Sequence, residues 1–326
     1  MAPVVKALKK QEGVECVVVN TAQHREMLDQ VLDLFSIIPD YDLNLMQTGR
    51  TIEALTSTLF TKLTLILEQE QPDLVLVHGD TTTTFIGAYA SYLKKIPVAH
   101  VEAGLRTHHM YSPFPEEMNR QMVSRIASYH FAATPRNKEN LLKENIDTEL
   151  IAVVGNTVID AQQWVCASKG VKRRTSGHGH LLVTVHRREN WGNDVEEICH
   201  AIADIAQMRP DMDVVFPVHL NPVIQAPVRH ILGGLSNVKL TPPLDYLHMQ
   251  QALVDAWMVL TDSGGLQEEA PTFGVPLLVL RDETERPEAV SSGCAAVVGT
   301  QRQAIVEAVK RLMTDELAYK RMQQAG

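Results

Sequence analysis

The chain has 326 residues, of which 45% are hydrophobic and 21% charged, and its formal net charge is −9. This composition is typical of a folded protein of about two domains and excludes collagen-like and largely disordered chains. The negative charge argues against nucleic acid as a partner, although a few local Arg, His and backbone N–H groups can still bind a small anion.

The chain opens with a predicted helix, because Pro3 stands near its start and Val5 and Leu8 follow in helical spacing. A doubly wound domain normally opens with a strand whose tight turn leads into that helix. We therefore expect one strand and its ligand-binding turn to be absent. The last helical pattern stops at Gly326 without a closing element, so we expect a fragment or a misassigned start.

Short apolar runs rich in β-branched residues alternate with longer stretches of helical period. In chain order they read ECVVVN, LVLVH, PVAHVE, YHFAA, LIAVVG, HLLVTVH, DVVFPVH, NVKL, WMVLTD, VPLLVL and AAVVG. Strands alternating with helices predict parallel sheets, and runs that are apolar throughout are typical of strands covered on both faces. The sequence therefore predicts an α/β protein built from doubly wound, Rossmann-like domains.

A boundary between two such domains is expected between Trp164 and His180, where the basic, Gly-containing stretch ASKGVKRRTSGHGH interrupts the rhythm of strands and helices. We place an N-terminal domain at residues 1–168 and a C-terminal domain at 169–326. We expect them to face each other across a central cleft, a common location for ligands.

Three acidic residues of the first half stand at strand ends or at a helix start. Asp80 follows LVLVHG, Glu102 ends PVAHVE, and Glu116 opens the helical segment EEMNRQ. Because the carboxyl ends of parallel strands share one edge, these side chains can converge there. Two alternatives remain open. Asp80 could serve only as the cap of the next helix, and the glutamates could be solvated charges at a helix start.

In the second half, His186 ends a strand and is followed by Arg187 and Arg188, which suits an anion. His219 ends another strand and by itself is weak as an indication of function. Neither histidine belongs to a Cys/His spacing that would predict a zinc site, and we expect no metal.

The most specific local pattern is LTDSGGLQEEA, in which a strand leads through Asp262 and Ser263 to Gly264 and Gly265 and then a helix. Two glycines at a helix start permit close approach of a phosphate to free N–H groups. Glu269 follows one turn later and can accept hydrogen bonds from ribose hydroxyls. The alternative is a glycine turn needed only for packing. Neither the ATP P-loop nor the dinucleotide fingerprint is present.

The four cysteines, Cys16, Cys166, Cys199 and Cys294, are dispersed without a CxxC pair and lie in or beside apolar runs. This usage predicts free thiols in a reducing compartment. No apolar stretch approaches the roughly 20 residues of a membrane span, and the first ten residues lack a signal-peptide core. We therefore expect a cytoplasmic protein that does not enter a membrane.

Eight ordered motifs, HGDTTTT, HVEAGLRT, SPFPEEMNR, GNTVIDA, HRRENWG, PVHLNP, TDSGGLQEEAP and RDETERPEA, span the chain. In this order they closely resemble the bacterial non-hydrolysing UDP-N-acetylglucosamine 2-epimerases, whose fold is similar to that of the two-domain nucleotide-sugar glycosyltransferases. The resemblance implies reversible C2 epimerisation of UDP-N-acetylglucosamine to UDP-N-acetylmannosamine, by elimination and re-addition of UDP through 2-acetamidoglucal, for surface polysaccharide synthesis. It implies no cofactor, and it implies a homodimer.

The resemblance also assigns roles by motif position. The catalytic group would be Asp80, Glu102, Glu116 and His186. The substrate-binding group would be Ser263, Gly264 and Gly265 at the phosphates, Glu269 at the ribose and Arg286 near the phosphates. A second, activating UDP-N-acetylglucosamine would contact Gln23, Glu26, Glu116, Arg187 and His219. Some regulated family members have Gln at the position of Glu26.

Family members begin with a strand and a GTRPEAIK-like turn that would precede Met1, so we expect this chain to be impaired in folding or activity. Two other functions remain open. A glycosyltransferase or a hydrolysing epimerase could use the same fold and UDP site, since fold does not fix reaction type. A non-catalytic nucleotide-sugar sensor could have kept only the binding groups.

Overall fold

The computed structural model describes residues 1–21, 25–45, 51–173, 179–187, 190–284 and 286–325, without the side chains of residues 25–27. The chain divides into two compact units, unit 1 (Met1–Ala161) and unit 2 (Gln162–Gly326). The division falls inside the helix Thr157–Lys169, and the predicted boundary after residue 168 lies at the far end of that helix.

Unit 1 alternates helices with strands. Its helices are α1 (Ala2–Leu8), α2 (Arg25–Phe35), α3 (Ile52–Glu70), α4 (Thr82–Leu93), α5 (Glu116–Ile126), α6 (Pro135–Lys143) and the start of α7 (Thr157–Lys169). Its strands are β1 (Val19–Asn20), β2 (Tyr41–Asp42), β3 (Val75–His78), β4 (Val98–Ala103), β5 (Tyr129–Ala132) and β6 (Ile151–Val153). The predicted opening helix is α1, with Pro3 in its first turn.

Two parallel sheets are present in unit 1, a pair β1-β2 and a four-stranded sheet in the order β3-β4-β5-β6. Apolar side chains of the four-stranded sheet pack on the helices that connect its strands, among them Val77 and Val98 with Val123 of α5. Within the described residues, no strand pairing joins β1 or β2 to the four-stranded sheet.

Unit 2 continues the alternation. Its remaining helices are α8 (Asn193–Met208), α9 (Pro222–Leu232), α10 (Tyr246–Asp255), α11 (Gly264–Thr272), α12 (Pro287–Ser292), α13 (Arg302–Thr314) and α14 (Glu316–Gln324). Its strands are β7 (His180–Thr184), β8 (Val214–Pro217), β9 (Val238–Thr241), β10 (Ala256–Thr261), β11 (Leu277–Val279) and β12 (Ala295–Val297).

The six strands of unit 2 form one parallel sheet in the order β12-β11-β10-β7-β8-β9. The order reverses direction between β7 and β10, which creates the crevice where doubly wound sheets bind ligands. Both faces of the sheet are covered, because Leu181 and Val183 belong to one apolar core and Leu182 to another. Each of these three side chains is fully buried.

The sequence predicted this architecture well, since every apolar run named above contains a strand and both units are parallel α/β layers. Among the described residues, β2 is the strand that the pattern missed. All four cysteines are free thiols, as predicted. In the described part of the chain, no helix combines the length and apolarity needed to cross a membrane.

Candidate functional site

Asp80 lies at the carboxyl end of β3 and is held by the start of α5. Arg120 of α5 places Nε 2.9 Å and Nη2 2.8 Å from Oδ2 of Asp80, and the side-chain amide of Asn119 donates to the Asp80 carbonyl. The helix that follows is capped by Thr81, whose hydroxyl accepts from the N–H of Thr84. Asp80 is therefore not the helix cap, and its half-buried carboxylate stands at the strand-end rim.

Glu102 lies at the end of β4 in a left-handed backbone conformation, with φ of +65°. The pairing of β4 with β5 shifts register between Val101 and Ala103, so Glu102 occupies an irregularity of the strand. Its Oε2 lies 3.3 Å from Nε2 of His78 at the end of β3. Such a conformation is unfavourable for a residue with a side chain and is typical of functional sites.

The two neighbouring glutamates at the start of α5 differ in their surroundings. Glu117 is fully buried and accepts hydrogen bonds from the N–H groups of Thr107 and His108, from Arg120 and from Gln121. These bonds outweigh burial and lower the pKa of its carboxyl. Glu117 therefore anchors the segment after β4, whereas Glu116, the first residue of the helix, is half-buried.

In unit 2, the segment after β7 is organised by Asp262, which follows β10 and is 0% exposed. Its carboxylate accepts from the N–H groups of His186 and Arg187 and from the side chain of Asn190. Oδ1 of Asp262 lies 3.0 Å from Nδ1 of His186, whose side chain is 43% exposed. Burial raises the pKa of Asp262, but these hydrogen bonds outweigh burial and lower it overall.

The glycine pair opens α11 as predicted, with Ser263 at the N-cap and Gly264 and Gly265 as the first two helical residues. The Ser263 side chain makes no capping hydrogen bond. A Cβ on Gly265 would meet nothing nearer than Oγ of Ser263 at 4.0 Å, so packing does not require glycine there. The helix start thus has open space beside N–H groups that suit a phosphate.

Glu269 lies one turn along α11 and is 5% exposed. Burial raises the pKa of its carboxyl to about 7, while the hydroxyl of Tyr246 and the nearby amide of Gln250 act in the opposite direction. The hydroxyl of Tyr246 lies 3.2 Å from Oε1 of Glu269. A carboxyl group in this setting can accept hydrogen bonds from a diol.

Arg286 precedes α12 and forms an ion pair with Glu268 of α11. Thr284 links the same segment to α11, because its hydroxyl bonds the side chain of Gln267 and accepts from the Arg286 N–H. Arg286 is therefore fixed beside the first turns of α11, with its side chain 16% exposed.

The residues predicted for a second ligand are only partly described. Gln23 and the side chain of Glu26 lie outside the described residues. Arg187 is adjacent to His186 in the Asp262-bound segment. His219 follows β8, which pairs with β7 in parallel, so His186 and His219 lie at the same rim of the unit 2 sheet. Burial and the nearby charge of His186 lower the pKa of His219.

Within each unit, residues predicted for the functional site therefore lie at the ends of neighbouring strands. Unit 1 places Asp80 and Glu102 at the ends of neighbouring strands, and unit 2 places His186 and the Ser263–Gly265 turn at the ends of β7 and β10. Sequence reasoning did not identify Asp262, Glu117 and Arg120 as supporting residues, because most of their partners are distant in the chain.

Doubly wound sheets with carboxylates at strand ends in one unit, and an open helix start beside a basic segment in the other, define the class of α/β enzymes that act on phosphorylated small molecules. A sequence profile of the UDP-N-acetylglucosamine 2-epimerases matches residues 6–326. The chain belongs to this enzyme family.

Curated relatives and solved structures agree with this assignment. The UDP-N-acetylglucosamine 2-epimerase of Escherichia coli K12 is 50% identical over 337 residues, which cover 100% of this chain and 90% of the relative. The Neisseria meningitidis enzyme, solved with UDP-GlcNAc, has a TM-score of 0.94 at 43% identity and covers 99% of this chain and 90% of its own. The Methanocaldococcus jannaschii enzyme, solved with UDP-GlcNAc and UDP, has a TM-score of 0.81 at 32% identity, covering 99% and 94%.

Proposed function

We propose that this enzyme interconverts UDP-N-acetylglucosamine and UDP-N-acetylmannosamine by eliminating UDP and adding it back. The C2 proton of the sugar is not adjacent to a carbonyl, so its direct removal is very difficult. If UDP leaves C1 as the C2 proton is removed, the product is the neutral alkene 2-acetamidoglucal. UDP then returns to C1 while C2 is protonated on the opposite face.

This route needs an acid and a base near C2, and unit 1 offers candidates for both. The observation that supports the proposal most is the placement of Asp80 and Glu102 at the ends of adjacent strands, with Glu102 in a strained conformation. Arg120 pairs with Asp80, whereas Oε2 of Glu102 lies 3.3 Å from Nε2 of His78, an imidazole that can take up or release a proton. Glu102 is thus the better placed of the two to pass a proton onward, and Glu116 is the third candidate.

The leaving UDP needs donors for the negative charge that develops on its diphosphate. We assign that role to the Ser263–Gly265 helix start, to His186 and to Arg286, with the ribose at Glu269. The N–H groups of a helix start and its dipole favour a phosphate, and Gly265 leaves room for it. The relatives solved with UDP-GlcNAc or UDP support this choice of ligand.

Proton NMR of UDP-N-acetylglucosamine in D₂O tests the reaction. We expect UDP-N-acetylmannosamine to appear with deuterium at C2 and without net release of UDP. An ¹⁸O label in the bridging position should scramble within the β-phosphate, because the C1–O bond breaks and reforms. Net release of UDP would instead favour the transferase or hydrolase, and tight UDP binding without exchange at C2 would favour the sensor.

A matched pair of variants tests the carboxylate. Glu102→Gln keeps the size of the side chain but removes the base, and we expect kcat to fall by about 10²-fold or more. Glu139→Gln makes the same change on the exposed side of α6 and should leave kcat unchanged. Equal activity of both variants would remove Glu102 from the mechanism.

We also propose that a second UDP-N-acetylglucosamine binds near Arg187 and His219 and activates the enzyme. Both residues lie beside His186, so a ligand there can influence the segment that holds the diphosphate. Gln23, Glu26 and Glu116 would complete this site. Turnover of UDP-N-acetylmannosamine should accelerate when a little UDP-N-acetylglucosamine is added; hyperbolic kinetics unaffected by that addition would contradict the proposal.

The enzyme is further proposed to form a homodimer. Helices α3 and α4 of unit 1 pack together through Phe60 and Tyr89, whose ring centroids lie 5.9 Å apart. Their outer surface exposes Leu65, Tyr92 and Leu93, with Tyr92 at 59%. Sedimentation at several concentrations should show a dimer that Tyr92→Asp weakens; a wild-type monomer throughout would refute it.

For the biological setting, we propose that the reaction takes place in the cytoplasm and supplies surface polysaccharide synthesis. Four free thiols suit a reducing compartment. Deletion of the gene in its host should deplete N-acetylmannosamine from surface glycans, and unchanged glycan composition would argue against this role.

A further inference from the structure

Asp262 binds the segment after β7 through both of its carboxylate oxygens. Oδ2 is 3.0 Å from the His186 N–H nitrogen, 2.8 Å from that of Arg187 and 3.0 Å from Nδ2 of Asn190. These three donors fix the segment that follows β7. Oδ1 faces His186, 3.0 Å from Nδ1 of the imidazole and 3.2 Å from the backbone N–H nitrogen of the same residue.

A helix cap would not need this arrangement. The N-cap of α11 is Ser263, and Asp262 turns towards β7 instead. Asp262 is 0% exposed, and burying a carboxylate is unfavourable unless hydrogen bonds compensate its charge. Among the described residues, the donors to the Asp262 carboxylate are His186, Arg187 and Asn190, which all follow β7.

The charge of Asp262 decides which nitrogen of His186 carries the proton. An ionised carboxylate only accepts hydrogen bonds, so Nδ1 of His186 must be the donor. Nε2 is then the free nitrogen of a side chain that is 43% exposed. Such a contact fixes both the tautomer and the plane of the ring, as the aspartate does in Ser-His-Asp triads.

We infer that Asp262 is a positioning residue for catalysis, which holds His186 with Nδ1 protonated and Nε2 presented to the diphosphate of the substrate. This inference rests on the proposed function insofar as it gives His186 a role at the diphosphate. The tautomer itself can be measured without any reaction.

Asp262→Asn is the informative variant. Its amide oxygen can replace Oδ2 and keep the three shorter hydrogen bonds to the segment. Its NH₂ group loses the 3.2 Å contact of Oδ1 with the His186 N–H, but it can donate to Nδ1 of His186 and so place the proton on Nε2. The same change in a Ser-His-Asp triad preserves geometry and lowers kcat by about 10⁴-fold. We expect at least about a 10²-fold fall in kcat here, with a much smaller change in the Kd for UDP.

The spectroscopic test uses the full chain labelled with ¹⁵N-histidine, at a pH high enough for neutral imidazole, with His186→Gln to assign the signal. The wild-type protein should show the Nδ1–H form of His186 and Asp262→Asn the Nε2–H form. Asp204→Asn, at the exposed ion pair with Arg302, is the matched control and should change neither tautomer nor kcat.

Kinetics separate positioning from a general structural effect. If Asp262 acts through His186, Asp262→Asn combined with His186→Gln should be no slower than His186→Gln alone. A further loss in the double variant would overturn the inference, as would an Asp262→Asn enzyme with wild-type kcat when His186→Gln is slow.

The remaining outcomes are also decisive. An Nε2–H tautomer in the wild-type protein would overturn the inference even if Asp262→Asn does not fold. Full activity of His186→Gln would refute the proposed role of His186 in the reaction, whereas the tautomer measurement would still decide whether Asp262 holds its ring.

Discussion

Among single residues, Glu269 combines a functional position with an unusual acidity. Burial raises the pKa of its carboxyl to about 7, so near neutral pH it exists in both protonation states. The ionised form is the stronger acceptor for ribose hydroxyls, because hydrogen bonds to a charged group are the stronger kind. Protonation therefore weakens the interaction we assign to this residue.

We predict that UDP binds the wild-type protein more tightly at pH 8 than at pH 6, with a difference of about tenfold attributable to Glu269. Calorimetric titration of the wild type and of Glu269→Gln at both pH values measures this. The titration of the phosphate is common to both proteins and cancels in the comparison. If the ratio of the two affinities does not change with pH, Glu269 is not the ribose acceptor.

The same residue has the opposite effect on the stability of the ligand-free protein. Its pKa is raised on folding, so its stabilising effect is complete below pH 4.5 and is lost as the pH rises towards 7. At pH 8, the unfolding free energy of Glu269→Gln should be about 3 kcal/mol higher than that of the wild type. At pH 4, the two proteins should have similar unfolding free energies. Denaturant titrations at both pH values check this, and a Glu269→Gln protein that is no more stable at pH 8 would contradict it.

The role of a single residue could be predicted from the sequence only where a local sequence pattern indicated that role. The glycine helix start is local, and so are the strand ends that place Asp80 and Glu102. The different roles of Glu116 and Glu117 were not predictable, because two of the four donors around Glu117 come from residues 107 and 108, outside its own helix. The role of Asp262 was not predictable for the same reason, because its partners are more than 70 positions away in the chain.

At the scale of elements, Gly104 controls the contact between the end of β4 and helix α6. Its φ is +88°, and a Cβ there would lie 2.2 Å from the carbonyl oxygen of Asn137. We predict that Gly104→Ala lowers the unfolding free energy by about 2–5 kcal/mol, since it adds backbone strain to steric overlap. Urea unfolding followed by far-UV circular dichroism provides the measurement.

Gly155 supplies the matched control, because its φ is +80° but a Cβ would have nothing within 4 Å. Gly155→Ala should therefore cost only the strain of the left-handed conformation, about 1 kcal/mol. The difference between the two variants measures the overlap with α6. If Gly104→Ala and Gly155→Ala lose the same unfolding free energy, α6 moves away from the added Cβ without an energetic cost.

Elements were predictable where apolar runs were long enough to show their period. The core strands of unit 2 lie in apolar runs of sufficient length. Strand β2 is two residues long, Tyr41–Asp42, and exists through its pairing with β1. A pairing of this length leaves no hydrophobic pattern, so only the tertiary structure reveals it.

For the molecule as a whole, acid should destabilise unit 1 more strongly than unit 2, although burial also lowers the pKa of His180 and His219 in unit 2. His100 and His130 face each other across β4 and β5 of unit 1 and are almost fully buried. Burial lowers the pKa of each to about 4. Because these values lie below those of the unfolded chain, the stability of unit 1 is complete above pH 6.5 and falls as the pH drops from 6.5 to 4.

We predict that unit 1 loses up to about 2.7 kcal/mol of unfolding free energy per pH unit in this window, about 1.4 for each histidine. All three tryptophans, Trp164, Trp191 and Trp257, belong to unit 2, so their fluorescence follows that unit alone while far-UV circular dichroism follows both. On acidification, the dichroism should change before the fluorescence. His130→Phe should halve the slope for unit 1, and the exposed His109→Gln should leave it intact. Coincident acid transitions with a slope that His130→Phe does not alter would mean that these histidines do not govern the acid stability of unit 1.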